Sequence, residues 1–148
     1  MGQSFHIDHP IIHIRQHTAM SCWSAAAGMV LGIQGSVGAG GANYNDAEGL
    51  VPNWANLQTF ADAHGFRIYR PQSWSTTAIV DMLHRSPLMV IGAFPQGHAI
   101  VVGGAYGDGT PTGTNLKIHD PAANGPVTGS YQRLMDHFPL ATVHILHL

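Results

Sequence analysis

The sequence contains little charge, a single cysteine and no long hydrophobic run. Only 9% of its 148 residues are charged, and six Lys and Arg against eight Asp and Glu leave a formal charge of −2. This balance excludes the basic footprint of a nucleic-acid-binding protein. The longest apolar stretches have the length of strands, well below the ~18 residues of a membrane-spanning helix. We therefore expect neither nucleic acid nor a membrane among the partners.

The single cysteine also excludes an internal disulfide framework. The absence of such a framework is typical of a protein that works in a reducing compartment. The first ten residues, MGQSFHIDHP, lack the basic patch and the apolar run of a secretory signal. We expect no signal-directed export, and either a cytoplasmic location or delivery into a target cell by a specialised secretion system.

Histidine and glycine are abundant instead, with 11 and 18 residues. If the histidines titrate near about 6.5, the net charge becomes positive in mild acid. With 45% hydrophobic residues, the chain is long enough for one domain with a core and too short for two. The sequence therefore predicts a single domain over residues 1–148.

Helical periodicity is clearest directly after Cys22. Apolar residues at three- and four-residue spacing predict a helix that ends between Gly32 and Gly35, with Ser21 as its N-cap. The glycine-rich residues 35–53 predict a long surface loop. Further helices are predicted at 54–64, from Ser75 to Ser86 and, as a short element, after Ser130.

Short apolar runs in the second half of the chain predict strands. They cover Leu88 to Phe94, His98 to Tyr106, Asn115 to Asp120 and Ala141 to Leu148, and a shorter strand is predicted at Phe66 to Tyr69. Apolar and polar residues alternate loosely over the first 15 positions, and Pro10 limits any strand there to a sheet edge. Helices followed by antiparallel strands predict an α+β fold.

Cys22 is the first candidate for chemistry. A lone cysteine is more often a small core residue than a nucleophile. Cys22, however, lies in the first turn of the best predicted helix, where unpaired backbone N–H groups and the helix dipole favour a thiolate. Both interpretations stay open at this point.

A nucleophilic thiolate needs a partner that exchanges protons, and imidazole is suited to both directions of transfer. His98 differs from the other histidines because it follows a turn at Gly97 and opens an apolar strand. Asp120 ends a second predicted strand, so adjacent antiparallel strands would place its carboxylate beside His98 and orient the ring. Asn115 competes with Asp120 for this third role.

Gln16 lies six positions before Cys22. Its neutral carboxamide could donate a hydrogen bond to an oxyanion, together with the backbone N–H of Cys22. The alternative is that Gln16 only bridges backbone groups within a loop.

Four histidines near the N-terminus, His6, His9, His13 and His17, are spaced by three and four residues, as metal ligands can be. Pro10 and the extended pattern argue against a shared helical face. We interpret these histidines as ordinary surface residues and expect neither a metal site nor a cofactor.

Three segments together are similar to the papain-like cysteine peptidases. They are QHTAMSCW, which runs from Gln16 through Cys22 to Trp23, then GHAIVVGG with His98, and KIHDP with Asp120. The likeness is closest to the small bacterial branch, which includes the C39-like peptidases of double-glycine leaders and compact effector or toxin proteases. It extends over nearly the whole chain, and the order Cys, His, Asp is the order found in that branch.

The resemblance implies a papain-like fold, with the nucleophile at a helix N-terminus that packs on an antiparallel sheet. It implies that Cys22 is the nucleophile, His98 the general base and acid, Asp120 the orienting residue and Gln16 the oxyanion donor. Trp23 and Gly97 are the predicted substrate contacts, although packing on the helix is the favoured role of Trp23.

The resemblance further implies protein or peptide substrates, with small residues such as Gly-Gly before the scissile bond. A free-standing enzyme of this branch is expected to be delivered into another cell and to be restrained in the producer by a dedicated immunity protein. Two alternatives use the same residues or the same shape: a glutamine deamidase or other acyl transferase, and an inactive papain-like binding module.

Overall fold

The computed structural model describes residues 5–18, 21–33, 35, 37–45, 49–92, 98–137 and 142–148. Its elements are β1 (Phe5–Asp8), α1 (Cys22–Leu31), β2 (Tyr44–Asn45), β3 (Gly49–Leu50), α2 (Trp54–His64), β4 (Arg67–Tyr69), α3 (Thr76–Arg85), β5 (Leu88–Gly92), β6 (His98–Gly107), β7 (Thr114–His119), β8 (Val127–Ser130), α4 (Tyr131–His137) and β9 (His144–His147). Seven strands form an antiparallel sheet in the order β4-β9-β5-β6-β7-β8, with β1 paired to the C-terminal part of β6.

Both faces of the central strands are buried. On β5, Met89 and Ile91 belong to a core cluster shared with α1 and α2, while Leu88 and Val90 belong to a second cluster shared with α3 and α4. The sheet therefore lies between two helical layers. This double coverage explains why the strands are continuous apolar runs, since a strand with one wet face would alternate.

Side-chain caps start three of the helices. Asn53, Ser75 and Ser130 each accept a hydrogen bond from a backbone N–H in the first turn of α2, α3 and α4. The predicted cap of α1 is wrong, because the hydroxyl of Ser21 accepts from the N–H of Thr18 and donates to its carbonyl. The backbone of Ser21, at φ −107° and ψ 21°, lies outside the extended conformation of a capping residue.

The predicted surface loop contains the short hairpin β2–β3, which is anchored to α2. The carboxamide of Asn56 accepts from the N–H of Asn43 at 2.7 Å and donates to the carbonyls of Asn43 and Val51 at 2.8 and 2.9 Å. Asn56 is buried, so it is a structural residue of this loop. Two-residue strands are too short to produce a detectable pattern in the sequence.

The predicted α+β fold is confirmed, and α1 packs on the antiparallel sheet with Cys22 at its start. The strand β8 was not predicted, because it is a short edge strand with two exposed residues and a glycine. Residues 93, 94 and 141, to which predicted strands extended, lie outside the described residues. Within the described part of the chain, no helix is long and apolar enough to cross a membrane.

Candidate active site

Cys22 lies where the first turn of α1 meets the start of β6. The backbone N–H of Ala99 donates a hydrogen bond to its sulfur, with an N···Sγ distance of 3.3 Å. The residue is only 2% exposed. Both the N–H donor and the amino end of the helix favour negative charge on the sulfur. The contribution of Ala99 could not be read from the sequence, since any residue at that position supplies the same N–H group.

His98, the first residue of β6, faces Asp120, which directly follows β7. The distance between His98 Nε2 and Asp120 Oδ1 is 3.0 Å, and the two side chains are 31% and 36% exposed. The side chain of Cys22 is the second hydrogen-bond partner of the ring. Because Nε2 faces the carboxylate, Nδ1 is the nitrogen left for the thiol. The structure thus brings Cys22, His98 and Asp120 together.

These partners change the proton affinity of the imidazole. The pKa of His98 is raised from 6.5 to about 10, first by the hydrogen bond with Asp120 and next by the one with Cys22, while burial acts in the opposite direction. The ring is therefore an imidazolium at neutral pH, which can give a proton to a departing group.

Asp120 is held by the turn that follows it. Its Oδ1 accepts from the N–H of Ala122 at 2.9 Å, and its carbonyl accepts from the N–H of Ala123 at 2.9 Å. Burial would raise the pKa of Asp120, but the hydrogen bonds from His98 and Ala122 outweigh it, so that this pKa lies below its usual value. The carboxylate stays ionised and keeps one orientation toward the ring.

Asn115 does not reach the imidazole. It pairs with Tyr106 at the far end of β6 from His98, roughly 26 Å away at about 3.3 Å per strand residue. Of the two candidates for the third role, only Asp120 is a neighbour of His98.

Gln16 lies on the segment that approaches the turn after Asp120. Its backbone N–H donates to the carbonyl of Pro121 at 2.9 Å, and its carboxamide Nε2 donates to the carbonyl of Thr18 at 2.8 Å. A carboxamide has two N–H groups, so one N–H is used within the loop that precedes Cys22. A role for Gln16 toward an oxyanion stays a prediction.

Trp23 is 7% exposed and packs against Phe60 and Tyr44, with ring centroids 5.8 and 5.4 Å apart. Its packing role is therefore evident, whereas contact with a substrate stays a prediction. The partner ring of Tyr44 is 63% exposed. Gly97, the other predicted substrate contact, lies outside the described residues.

The sequence suggested that the N-terminal histidines are ordinary surface residues, and for His13 this interpretation is wrong. His13 is partly buried and pairs with His119, the last residue of β7, with 3.0 Å between the two Nδ1 atoms. Sequence reasoning missed His119, which is 1% exposed. In the sequence, only its position next to Asp120 could have marked His119 as a residue near the active site. Among the described residues, no group of three or more His, Cys, Asp or Glu is arranged to hold a metal ion.

Comparison with known proteins identifies one family. The family model described as papain-like cysteine protease AvrRpt2 matches residues 4–136, which include Cys22, His98 and Asp120. Neither the curated proteins nor the solved structures contain a significant match. The effector part of the resemblance is confirmed, and the likeness to C39 peptidases receives no support. The chain belongs to the papain-like cysteine protease AvrRpt2 family, a family of bacterial effector proteases.

Proposed function

We propose that the chain hydrolyses peptide bonds of protein substrates through an acyl-enzyme formed on Cys22. One observation carries this proposal: the imidazole of His98 lies between the carboxylate of Asp120 and the side chain of Cys22. The arrangement provides a nucleophile, a proton carrier and an orienting anion in one place.

The proposed reaction begins when the thiolate of Cys22 attacks the scissile carbonyl carbon and a C–S bond forms. The carbonyl electrons move onto oxygen, where Gln16 and the N–H of Cys22 are the proposed donors. As the C–N bond breaks, the imidazolium of His98 gives its proton to the departing amine. His98 then takes a proton from water, which attacks the thioester and releases the carboxylate and the thiolate.

Replacement of Cys22 by Ala tests the proposal directly. Digestion of a denatured bacterial proteome, followed by mass spectrometry of new peptide termini, should show cleavage by the wild-type protein and none by C22A. H98A should lose at least about 10²-fold in kcat/KM. H84A, which removes an exposed histidine of α3, should retain wild-type activity.

The same mass spectra separate the alternatives. Intact substrate chains that carry Glu in place of Gln would contradict proteolysis and indicate a deamidase. An inactive binding module would give no product, and its buried thiol would not react with a peptide-based alkylating probe at neutral pH. Because Cys22 is only 2% exposed, an inert thiol at this position would stay unlabelled in the native protein. Labelling would therefore support its role as the nucleophile.

Specificity is the finer part of the proposal. A preference for small residues, Gly-Gly among them, before the scissile bond is proposed from the resemblance to small bacterial papain-like peptidases, with Trp23 and the exposed ring of Tyr44 as the proposed contacts. The cleavage sites in the proteome digest test this preference, and bulky side chains at that position would contradict it.

The biological setting is also proposed. Membership in an effector family supports delivery of a single 1–148 domain into a target cell, where host proteins would be substrates. A dedicated inhibitor in the producer is proposed because an active protease would also cleave proteins of the cell that makes it. Co-purification of a tagged C22A protein from the producing cell tests for such an inhibitor, and recovery of the protein alone would contradict it.

A further inference from the structure

The N-terminal segment that carries Gln16 is attached to the sheet at several points. The N–H of His9 donates to the carbonyl of Gly103 at 2.9 Å, and the N–H of Gln16 donates to Pro121. Between these points, His13 Nε2 lies 2.7 Å from the carbonyl of Ala123. The segment therefore meets the turn 120–123 through one imidazole and one backbone hydrogen bond.

The carbonyl of Ala123 accepts only, so His13 must carry a proton on Nε2. In the neutral ring, Nδ1 is then an acceptor, and its partner at 3.0 Å, His119 Nδ1, must donate. His119 thus has its proton on Nδ1, and its buried Nε2 has no hydrogen-bond partner among the described residues. One proton thus lies between the two Nδ1 atoms in the neutral pair. A proton on both Nδ1 atoms would place two N–H donors against each other.

We propose that His13 is a positioning residue of the active site: through His119 and the carbonyl of Ala123 it holds the Gln16 segment against the turn that orients Asp120. This inference extends the proposed hydrolysis to the residues that position its site. It assigns a function to His13 and His119, two histidines that take no part in the proposed reaction itself.

The surroundings of His119 support a ring that stays uncharged near neutral pH. It lies against Gly103, where a Cβ would be 3.3 Å from His119 Cδ2 and 2.5 Å from Ile11 Cδ1, so that the ring and the segment both pack closely on this glycine. The ring stacks on His13 with centroids 5.2 Å apart. Burial, followed by the neighbouring His13, lowers the pKa of His119 to about 4.

The charged groups around the pair come from several elements. Lys117 on β7 lowers the pKa of His119 and Asp8 on β1 raises it, and these two residues form a salt bridge at 3.1 Å. Asp120 follows His119 directly and interacts with His13, while His98 faces Asp120 from β6. The pair therefore lies among charges of both signs.

The first experiment does not require activity. We would label histidine with ¹⁵N in the C22A protein and record the ring resonances as a function of pH. The expected result is the Nε2–H tautomer for His13, the rarer Nδ1–H tautomer for His119, and a His119 ring that stays neutral well below pH 6.5. A His119 ring that carries its proton on Nε2, or that titrates near 6.5, would overturn the proposal.

The same spectra report on positioning. In the double variant C22A/H13A, loss of the contact to Ala123 should let the turn move, and the pKa of His98 should fall from its C22A value toward 6.5. In C22A/H13Q, whose carboxamide can still donate to Ala123, the pKa of His98 should match that of C22A. A His98 pKa that H13A leaves unchanged would show that His13 does not position the site.

The second experiment uses kinetics of the otherwise wild-type protein. We expect H13A to lower kcat by about tenfold or more with little change in KM, because misplacement of catalytic groups affects the chemical step. H13Q should recover most of kcat, because its carboxamide can still donate a hydrogen bond to the carbonyl of Ala123. H6Q, at an exposed histidine of β1, is the matched control and should behave as wild type.

These outcomes separate the two proposals. If the wild-type protein cleaves nothing while the spectra are as expected, the proposed hydrolysis is wrong and the positioning of the His98–Asp120 pair stands. If the protein cleaves but H13A and H13Q lose kcat equally, with folds unchanged by circular dichroism, the positioning role is wrong.

Discussion

At the level of single side chains, the most informative contact is the one between His98 and Asp120. The carboxylate is the largest cause of the raised pKa of His98, and the thiol of Cys22 adds to it. The imidazolium is therefore stabilised over the whole neutral range. Activity that needs this proton should end only when the solution becomes strongly alkaline.

Replacement of Asp120 by Asn should move the alkaline limit of activity. The wild-type kcat/KM should fall as pH rises through about 10, whereas in D120N the fall should begin nearer 6.5, because the amide no longer stabilises the charged ring. A pH series of kcat/KM on a cleaved peptide measures this limit. D62N, at a surface carboxylate of α2, is the matched control, and an identical alkaline limb in D120N and D62N would contradict the assignment.

At the level of elements, the position of α1 determines where the sulfur lies. Gly28 faces the loop after the helix so closely that an added Cβ would lie 2.0 Å from the carbonyl oxygen of Gly35 and 3.2 Å from Ile14 Cδ1. The backbone carbonyl cannot rotate away as a side chain would. Only glycine lets the helix approach both the loop and the N-terminal segment.

Replacement of Gly28 by Ala should therefore displace α1. We expect the free energy of unfolding to decrease by about 1–3 kcal/mol, the range for overpacked sites, and activity to fall because Cys22 moves with its helix. Urea denaturation measures the first effect, and peptide cleavage measures the second. G35A, at a position where a Cβ meets no atom within 4 Å, should change stability by less than about 0.5 kcal/mol. Equal stability of G28A and wild type would show that the contact is relaxed in solution.

At the level of the whole molecule, histidines make stability depend on pH in two directions. His119 and His144 have pKa values below 6.5, chiefly because they are buried. The unfolded chain therefore binds more protons in acid, and stability is lost as pH falls from 6.5 toward about 4. His98 has the opposite sign: its contribution is complete below 6.5 and is lost as pH rises through about 10.

The free energy of unfolding should accordingly be greatest near neutral pH and decrease on both sides. Urea denaturation at a series of pH values measures both slopes. In H98Q the alkaline decrease should become smaller while the acid decrease remains. H84Q removes an exposed histidine and should keep both slopes. A stability that rises steadily from acid to alkaline pH would contradict the role of His98.

Local patterns in the chain were sufficient for the α+β class, for a helix that begins at Cys22, for a strand that starts at His98 and, within one residue at each end, for the strand Thr114–His119. Such patterns depend on residues that are neighbours in sequence, so spacing and turn residues reveal them. Even here the local evidence had limits, since Ser21 looks like a cap and instead bonds to Thr18.

Packing between distant segments decided the remainder. The family resemblance already favoured Asp120 over Asn115, whereas the distance of Asn115 from His98 follows from strand register. The N–H of Ala99 on the sulfur follows from the approach of α1 to β6. His13 and His119 are 106 positions apart, and nothing in the spacing of either predicts the other. These contacts form only because the folded sheet closes long loops of chain, and their energies are not encoded in any local pattern.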